Sequence, residues 1–553
     1  MIGKSSAPVA EVPVVTEDPT FARAVEMHQR GDTGSAEQLY RQILRRTPRH
    51  AGALHLLGVI HLQRGELTEA LAACEASLAI NPGNAAAYQT QGDALHDLKR
   101  YIEAVAAYDR CLALDPGCFV AWSNRGSALL RGRRFDDAVS SYDRALALAG
   151  NGKGGRIPAP WLGNPHLNRG AALQELGRFD AALDGFDRAI AADPGLAEAH
   201  ANRGCTLDCL GRPEEALSSC ERAIALKPDY VAAHLNRAMT LLRIGRFPEG
   251  WAEYEWRWRN TESALCRDRR RSSAPLWLGR EPLAGKTILL HAEQGYGDTV
   301  QFCRYARLVR DRGATVVLEV HPALKRLMSR LEGVARVISR DEPTGEVDFQ
   351  CPLMSLPLAF GTTLETIPSG QRYLIGEPGL VERWRTRLGE RRGLRVGLVW
   401  SGGLRPHEPE YWSANARRNI DPQKLIGLDH PRIEYVSLQK GQPGQAESQE
   451  PRRRGWATRL VDQTQELSDF AETAALIENL DLVISVDTAT AHLAAALGKP
   501  TWILNRFDAC WRWLMSRGDS PWYPSVRLFR QQAPGIWDDA VRQVRDELFR
   551  LVA

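Results

Sequence analysis

The first half of the chain repeats one pattern of small, aromatic and polar positions. Small residues recur every 34 residues, apart from one interval of 44, and each is followed 12 positions later by a second small residue. The first set is Ala24, Gly58, Gly92, Gly126, Gly170, Gly204 and Ala238. The second set is Ala36, Ala70, Ala104, Ala138, Ala182, Ala216 and Gly250. A bulkier residue comes four positions later still, at Tyr40, Cys74, Tyr108, Tyr142, Phe186, Cys220 and Tyr254.

This period predicts seven pairs of antiparallel helices. Small residues let two helices approach closely, the aromatic residue fills the space between them, and a proline ends most second helices. These prolines are Pro48, Pro82, Pro116, Pro194 and Pro228. Because one pair cannot bury its apolar face alone, stacked pairs share a core and curve into a superhelix. The extra residues at "GNGKGGRIPAPWLGN" predict a loop that protrudes at a repeat boundary without breaking the stack.

The pattern resembles the tetratricopeptide repeat (TPR), in period and in residue type at each anchor. The resemblance implies a concave face that binds a peptide or an extended protein segment. An asparagine recurs at one repeat position, at Asn124, Asn168, Asn202 and Asn236, and an arginine follows each of them. Since an amide side chain can bond the backbone of any extended ligand, we predict that the asparagines form a peptide-binding ladder. A structural role within the first helix is favoured for the arginines.

The pattern changes after a basic junction. Short apolar runs then alternate with helical stretches, of which "TVQFCRYARLVRDRG" and "ATAHLAAALG" are the clearest. The runs are "TILLHA", "TVVLEV", "ARVIS", "LRVGLVW", "IEYVSL", "DLVISV" and "PTWIL". This alternation predicts parallel sheets covered by helices. The predicted organisation is an unstructured segment at 1–16, the repeat array at 17–264, a linker at 265–283, and two lobes at 284–375 and 376–553, the second with a C-terminal helix.

Composition limits the classes of partner. The formal net charge is +4, which predicts no strong general affinity for nucleic acid or membrane surfaces. No stretch approaches the roughly 20 apolar residues of a membrane span. The ten cysteines fall largely at repeat-core positions without a metal-binding spacing, so we expect buried free thiols in a reducing cytoplasm and no metal site.

Two stretches follow predicted strands, where ligands of doubly wound sheets bind. The first is "HAEQGYGDTVQ" after "TILLH", and the second is "VDTATAHLAAALGKP" after "DLVISV". In the second, Asp487 and Thr488 stand where a helix begins, and free N–H groups with the helix dipole favour a phosphate there. His492 could donate to a phosphate oxygen. The alternative is that Asp487 or Thr488 only caps the helix and that His492 only packs.

The stretches "ISVDTATAHLAAALGKPTWIL" and "EQGYGDTVQF" resemble glycosyltransferase family 9, which includes the heptosyltransferases of lipopolysaccharide synthesis. The resemblance covers about residues 284–530 and implies a GT-B fold of two Rossmann-like lobes, with the acceptor at the first lobe and the nucleotide sugar at the second. It also implies inverting transfer without a metal, with the nucleotide sugar as co-substrate and no other cofactor. The layout of repeats plus transferase is similar to O-GlcNAc transferases and to flagellin-modifying TPR transferases.

The resemblance assigns Asp298 as the general base. A carboxylate within hydrogen-bond reach can take the proton of an attacking hydroxyl group. Gly295 and Gly297 shape the loop, because without side chains they let the backbone approach the substrates. The alternative is that Asp298 is the N-cap of the following helix, and both roles are compatible.

A metal-free mechanism needs positive charge beside the departing diphosphate. Gly402 in "WSGG" offers a close-approach loop, and Arg417 and Arg418 in "ANARRNID" offer guanidinium groups that can bind two phosphate oxygens. Lys440 in "SLQKG" is another candidate. The tail places four aromatic residues close together, and they are predicted either to line a sugar or base pocket or to form core between a sheet and the C-terminal helix. These residues are Trp511, Trp513, Trp522 and Tyr523.

The predicted function is transfer of a sugar from a nucleotide sugar to Ser or Thr of a protein that the repeats recruit, such as flagellin. The length of the repeat array favours this acceptor, because a lipopolysaccharide enzyme needs no peptide groove. The alternatives are transfer to a lipopolysaccharide or glycan precursor, and a non-catalytic scaffold with a degenerate transferase domain.

Overall fold

The computed structural model describes residues 18–150, 157–260, 273–370, 372–403, 412–441 and 460–553. In its N-terminal part, helices α1 to α14 form seven successive hairpins, which confirms the predicted helical solenoid. Their bounds are Pro19–Gln29, Thr33–Arg46, Ala51–Arg64, Leu67–Ile80, Ala85–Asp97, Tyr101–Leu114, Phe119–Arg131, Phe135–Gly150, Ala159–Glu175, Phe179–Ala192, Ala197–Cys209, Pro213–Leu226, Val231–Arg243 and Phe247–Tyr254.

The small residues of the repeat are needed for contact between the two helices of a hairpin. A Cβ atom added to Gly92 would lie 2.5 Å from the ring of Tyr108, and one added to Gly126 would lie 2.8 Å from the ring of Tyr142. Both tyrosines are fully buried. The glycine of the first helix therefore makes the space that the aromatic residue of the second helix fills.

The extra residues between the fourth and fifth repeats lengthen the helices on either side. Helix α8 continues to Gly150 and has 16 residues, and α9 begins at Ala159 and has 17, with Pro165 inside it. The centre of the predicted loop, residues 151–156, lies outside the described residues. Helices α8 and α9 still pack against each other, so the stack continues across the insertion.

The chain divides into two compact units between Asn202 and Arg203. The boundary falls inside the solenoid, within helix α11. The sixth hairpin from Arg203 onward and the whole seventh hairpin therefore belong to the same unit as the C-terminal sheets.

The second unit contains two parallel sheets. The first has the strand order β3-β2-β1-β4, and the second has the order β10-β9-β8-β5-β6-β7. Strands β1 to β10 are Thr287–His291, Thr315–Val320, Arg336–Ser339, Phe349–Pro352, Leu394–Val399, Ile433–Ser437, Leu460–Val461, Leu482–Val486, Thr501–Asn505 and Val526–Arg530. In both sheets the first strand lies between the second and the fourth, so the direction of winding reverses beside β1 and beside β5.

Short helices follow the strands and cover the sheets. Helices α15 to α23 are Tyr296–Phe302, Tyr305–Asp311, Pro322–Met328, Leu356–Ala359, Pro378–Leu388, Trp412–Arg418, Phe470–Glu478, Ala489–Ala496 and Asp538–Arg550. The stretch predicted as one helix after β1 forms two, α15 and α16, with Arg304 between them donating from its Nε to the carbonyl of Gln301 at 2.7 Å. Short 3-10 helices include Glu255–Arg259, after α14, and Trp511–Trp513, after β9.

The aromatic residues of the tail form core, but not against the C-terminal helix. The ring centroid of Trp511 lies 5.2 Å from that of Trp251 in the seventh hairpin, and that of Trp522 lies 5.6 Å from that of Phe302 in α15. All four rings are buried. The prediction of core packing is right, and its predicted location is wrong, because the last hairpin supplies an apolar face that these rings cover.

None of the helices in the described ranges has the length and apolar content needed to cross a membrane. The cysteines among the described residues are free thiols, and five of them are buried: Cys74, Cys111, Cys220, Cys303 and Cys351.

Candidate functional site

The two motif-bearing stretches lie against each other. Helix α15 follows β1 of the first sheet, and α22 follows β8 of the second. A Cβ atom on Gly297 would lie 3.0 Å from Cδ2 of His492 and 3.4 Å from the Cα of Ala489. Any side chain at Gly297 would therefore press on α22, and the glycine permits the close contact of the two helices.

Asp298 is the third residue of α15, and both of its carboxylate oxygens have partners. Oδ2 accepts a hydrogen bond from the N–H of Gly295 at 3.0 Å, and Oδ1 accepts one from the Arg512 guanidinium. The side chain of Asp298 therefore does cap α15, though from inside the helix and not as the N-cap, which is Gly295. The sequence analysis missed Arg512, which lies 214 residues away along the chain.

Arg512 is a buried cation between aromatic rings. Its guanidinium carbon lies 4.2 Å from the ring centroid of Trp511, and Nη1 lies 3.0 Å from Sγ of Cys510. Burial opposes its charge, but Asp298 raises the pKa of Arg512 above its ordinary value. The guanidinium of Arg512 is therefore charged in the free protein.

His492 is held on both sides of its ring. Nε2 lies 3.7 Å from the Asp487 carboxylate, and Nδ1 lies 2.9 Å from the hydroxyl oxygen of Tyr523. The ring stacks on Trp513 at 5.1 Å between centroids. These contacts fix the imidazole in one orientation beside the first turn of α22.

Asp487 and Thr488 start α22 in the way that the sequence suggested. The N-cap of α22 is Thr488, whose Oγ1 accepts a hydrogen bond from the N–H of Ala491 at 3.4 Å. Burial opposes ionisation of Asp487, yet hydrogen bonding and charge from His492, with Arg418 further away, hold its pKa below the usual range. Asp487 is therefore a charged, half-buried carboxylate next to a helix N-terminus.

Arg418 reaches the same segment from α20. Nη1 donates to the carbonyl of Asp487 at 2.9 Å, and Nη2 donates to Oδ1 of Asn415 at 2.8 Å. A Cβ atom on Gly402 would lie 2.0 Å from Nη2 of Arg418, so this glycine makes room for the guanidinium.

The backbone donors of the "WSGG" loop have partners within the protein. The N–H groups of Trp400 and Ser401 donate to Oε1 of Gln439 at 3.1 and 2.9 Å, and that of Gly402 donates to Oδ1 of Asn419 at 2.9 Å. Three N–H groups of the loop are therefore used within the protein, and the Arg418 guanidinium of α20 lies against Gly402.

The other two predicted basic residues lie in different surroundings. Arg417 donates from Nε to Oδ2 of Asp508 at 3.1 Å, and Nε of Arg506 lies 3.5 Å from the other oxygen of that carboxylate. The Lys440 ammonium bonds to the carbonyl oxygen of Leu467. Of the three, Arg418 is the one in direct contact with the Asp487 segment.

The end of the seventh hairpin holds the loop that leads to Asp298. Gln294 donates from Nε2 to the hydroxyl oxygen of Tyr254 at 2.6 Å. Arg257 donates to both carboxylate oxygens of Glu293, at 3.0 and 3.1 Å, and to Oγ of Ser355 at 2.7 Å. The sequence predicted none of these contacts, since Tyr254 has an ordinary repeat position and no role was predicted for Glu293 within the motif.

In the solenoid, the arginines that follow the asparagine row bond to neighbouring helices. Arg125 donates to Oδ1 of Asp109 at 2.6 Å, and Arg169 donates to Oδ1 of Asp143 at 2.6 Å. Asn124 of the predicted ladder donates to Asp93 at 2.8 Å, and Asn168 interacts with the Tyr142 hydroxyl. Asn202 and Asn236 are half-buried.

The site combines charges of both signs in a way that suits phosphate and proton transfer. Two guanidinium groups, Arg418 and Arg512, and the imidazole of His492 lie near the N-terminus of α22, where an anion is favoured. Within the described ranges, no group of three or more His, Cys, Asp or Glu side chains is placed to hold a metal ion.

The matches to protein-family models agree with a chain of N-terminal repeats followed by a C-terminal region with two sheets. Tetratricopeptide repeat models match residues 28–85, 90–153 and 197–230. The model of glycosyltransferase family 9 (heptosyltransferase) matches residues 446–504, which include Asp487, Thr488 and His492 but not Asp298.

Relatives of the chain resemble it over part of their length. Protein FlbA of Caulobacter vibrioides is 28% identical over 326 residues, which cover 54% of this chain and 52% of FlbA, so the chain spans about half of that relative. Cellulose synthase 2 operon protein C of Komagataeibacter xylinus is 48% identical over 48 residues, 9% of this chain and 4% of that protein.

Among solved structures, YrrB, described as a TPR protein with an unusual peptide-binding site, is 23% identical with a TM-score of 0.31. The match covers 35% of this chain and 95% of YrrB.

According to the family models, the chain carries tetratricopeptide repeats across its N-terminal half and, in its C-terminal region, a segment that matches glycosyltransferase family 9.

Proposed function

We propose that this protein is a glycosyltransferase that moves a sugar from a nucleotide sugar to a hydroxyl group of a protein bound by the repeats. The observation that carries the proposal is the contact of α15 with α22, since a Cβ atom on Gly297 would lie 3.0 Å from the His492 ring. This contact places the motif that carries Asp298 next to the start of α22, which belongs to the other motif.

Sheet topology supports two Rossmann-like lobes of the GT-B type. Counted within its own lobe, each sheet begins with the order 3-2-1-4, and the second sheet continues to 3-2-1-4-5-6. In such sheets ligands bind beyond the carboxyl ends of strands, at the point where the winding reverses. The loop before Asp298 follows β1, and Asp487 follows β8 next to β5, so both motifs stand at such a point.

The donor's diphosphate would bind at the start of α22. Thr488 takes the N–H of Ala491, so the N–H groups of Ala489 and Thr490, together with the helix dipole, would favour an anion there. Arg418 and Arg512 would stabilise the negative charge that develops as the nucleoside diphosphate leaves. His492, fixed by Asp487 and Tyr523, would donate to a phosphate oxygen.

Asp298 would act as the general base. The acceptor's hydroxyl oxygen forms a bond to the anomeric carbon, the bond from that carbon to the diphosphate oxygen breaks, and the hydroxyl proton passes to the carboxylate. Attack from the face opposite the leaving group inverts the anomeric centre. The donor is a co-substrate, and this step needs no further cofactor.

The acceptor would be a protein. Five hairpins precede the unit that contains the sheets, and a nucleotide sugar requires none of them. Amide side chains along a solenoid can bond the backbone of an extended peptide that carries the modified Ser or Thr, as a segment of flagellin would.

Thermal unfolding with a panel of nucleotide sugars tests the proposal. A ligand at 100 times its dissociation constant should stabilise its unit by about 2.7 kcal/mol. We expect one class of nucleotide to raise the melting temperature, and the substitution His492→Ala to reduce this shift. His430→Ala is the matched control, because that histidine packs on Phe549 in the C-terminal helix. If no nucleotide sugar raised the melting temperature, the result would instead support the alternative of a non-catalytic scaffold.

A further inference from the structure

Both carboxylate oxygens of Asp298 are hydrogen-bonded in the state that the structure shows. One of its oxygens accepts a backbone N–H and the other accepts a guanidinium N–H, so both oxygens have donors. The Arg512 guanidinium occupies Oδ1, one of the two oxygens that could take the proton of an acceptor hydroxyl, so we expect this ion pair to loosen when the acceptor is deprotonated.

Arg512 has donors that the protein does not use. Among the described residues its Nε–H is buried without a hydrogen-bond partner, and Nη1 faces only the thiol sulfur of Cys510. A guanidinium carries five N–H donors in a planar fork that fits phosphate oxygens. Buried donors without partners are costly, so a ligand that supplied oxygens here would be favoured.

Arg512 also lies near the second motif. Its neighbour Trp513 stacks on His492 at 5.1 Å, and its charge contributes to the lowered pKa of Asp487. A diphosphate at the N-terminus of α22 would therefore approach the same guanidinium that Asp298 now holds.

We infer that donor binding moves the Arg512 guanidinium from the Asp298 carboxylate to the diphosphate, and that this exchange frees Asp298 to accept the acceptor's proton. When the diphosphate leaves, Arg512 returns to Asp298 and the proton passes to solvent. The base is thus active only while a donor is bound. This inference rests on the proposed function and adds a coupling between its two halves.

Binding of inorganic pyrophosphate to the full chain, measured by titration calorimetry, tests the exchange. Arg512→Gln should weaken binding by about tenfold or more, since it removes charge-assisted hydrogen bonds. Asp298→Asn should strengthen binding several-fold, because the guanidinium no longer has to leave a carboxylate. In the double variant the gain from Asp298→Asn should be much smaller than in the wild-type background. Asparagine can still accept the Gly295 N–H, so this variant keeps the cap of α15.

The double variant distinguishes movement of the Arg512 guanidinium from a simple change in the electrostatic potential at the anion site. Removal of a nearby negative charge would strengthen anion binding whether or not Arg512 is present, whereas exchange requires Arg512. Equal gains in both backgrounds would overturn the inference. Asp508→Asn is the matched control, because that carboxylate pairs with Arg417 and its effect should be independent of Arg512.

Three further outcomes are informative. If Arg512→Gln unfolds, Arg512→Lys replaces it, and unchanged or weaker binding in Asp298→Asn alone overturns the inference. Pyrophosphate binding that neither substitution alters would overturn the exchange while leaving the donor site intact. Failure of pyrophosphate and of every nucleotide sugar to bind the wild-type chain would refute both the exchange and the proposed function.

Discussion

The same repeat position has different partners in the middle of the array and at its end. The Tyr108 hydroxyl donates to Asp93 at 2.7 Å, and the Tyr142 hydroxyl lies 3.0 Å from Oγ of Ser127, so both bond within their own hairpin. The Tyr254 hydroxyl accepts a hydrogen bond from Gln294, in the loop that leads to Asp298. The last repeat therefore supports the candidate site as well as closing the solenoid.

Ion pairs in the middle of the array and at its end also differ, in the exposure of their side chains. In the pair of Arg125 with Asp109, the aspartate side chain is 52% exposed. In the pair of Arg257 with Glu293, the two side chains are 3% and 2% exposed. Loss of one partner from an exposed pair costs little, whereas loss from a buried pair leaves a charge without compensation.

Arg257→Met should give the largest effect on stability. Among the described residues, this change leaves the buried Glu293 carboxylate with only the N–H of Met354 as a donor, and we expect the second unit to lose about 3–5 kcal/mol. Arg125→Met, the matched change in the array, should cost less than about 1 kcal/mol. Urea unfolding followed by tryptophan fluorescence measures both, and similar losses would contradict the distinction between the two regions.

The loss from Arg257→Met should shrink on acidification. Burial raises the pKa of Glu293 even in the wild type, where Arg257 opposes the shift. A carboxyl group with a raised folded-state pKa favours the folded state while it is protonated, and this contribution disappears as the pH rises through that pKa. Without Arg257 the pKa rises further, so the variant should recover stability between pH 7 and pH 5. A loss that is independent of pH would exclude Glu293 as its cause.

The array has an acid-sensitive group of its own in His55. Burial lowers its pKa to about 4, and Nε2 lies 3.1 Å from Oγ1 of Thr90. A depressed folded-state pKa means that stability present above about pH 6.5 is lost as the pH falls toward 4, about 2 kcal/mol of it by pH 5. Urea unfolding of the first unit at pH 7 and pH 5 should show this loss in the wild type. His55→Gln should abolish it, and an unchanged pH dependence would count against the assignment.

Tyr254→Phe and Tyr108→Phe test the roles of two tyrosines that share one repeat position. Each removes one buried hydroxyl group and should cost about 1 kcal/mol of stability. Tyr254→Phe should also lower kcat about tenfold, because Gln294 loses its anchor and the Asp298 loop shifts. Tyr108→Phe should leave kcat unchanged. Steady-state kinetics with a saturating donor distinguish the two, and equal values of kcat would show that the last repeat does not position the loop.

Periodicity predicted the elements well but could not predict their tertiary partners. The constant spacing of small and aromatic residues gave seven hairpins, and the longer apolar runs gave seven of the strands. Two of the three missed strands, "FQCP" and "LV", are short and carry little periodic signal. The third, Val526–Arg530, has five residues, but two arginines interrupt its apolar run. Arg512 was missed because nothing in a Trp-rich tail indicates a carboxylate 214 residues away. Tyr254 was missed because its repeat signature is the same as that of Tyr108.

The smallest expected effect concerns the asparagine ladder. Asn168→Ala with Asn202→Ala removes two amide groups that we predict to bond an extended peptide, and the KM for an acceptor peptide should rise about three- to tenfold with kcat unchanged. Asn84→Ala is the control, since this residue caps α5 by accepting the N–H of Ala87 and its loss should lower stability by about 1 kcal/mol without a change in KM. If the control raised KM as much as the double variant, the effect would reflect a loosened solenoid. The asparagines would then belong, like Tyr108, to the seam between helices.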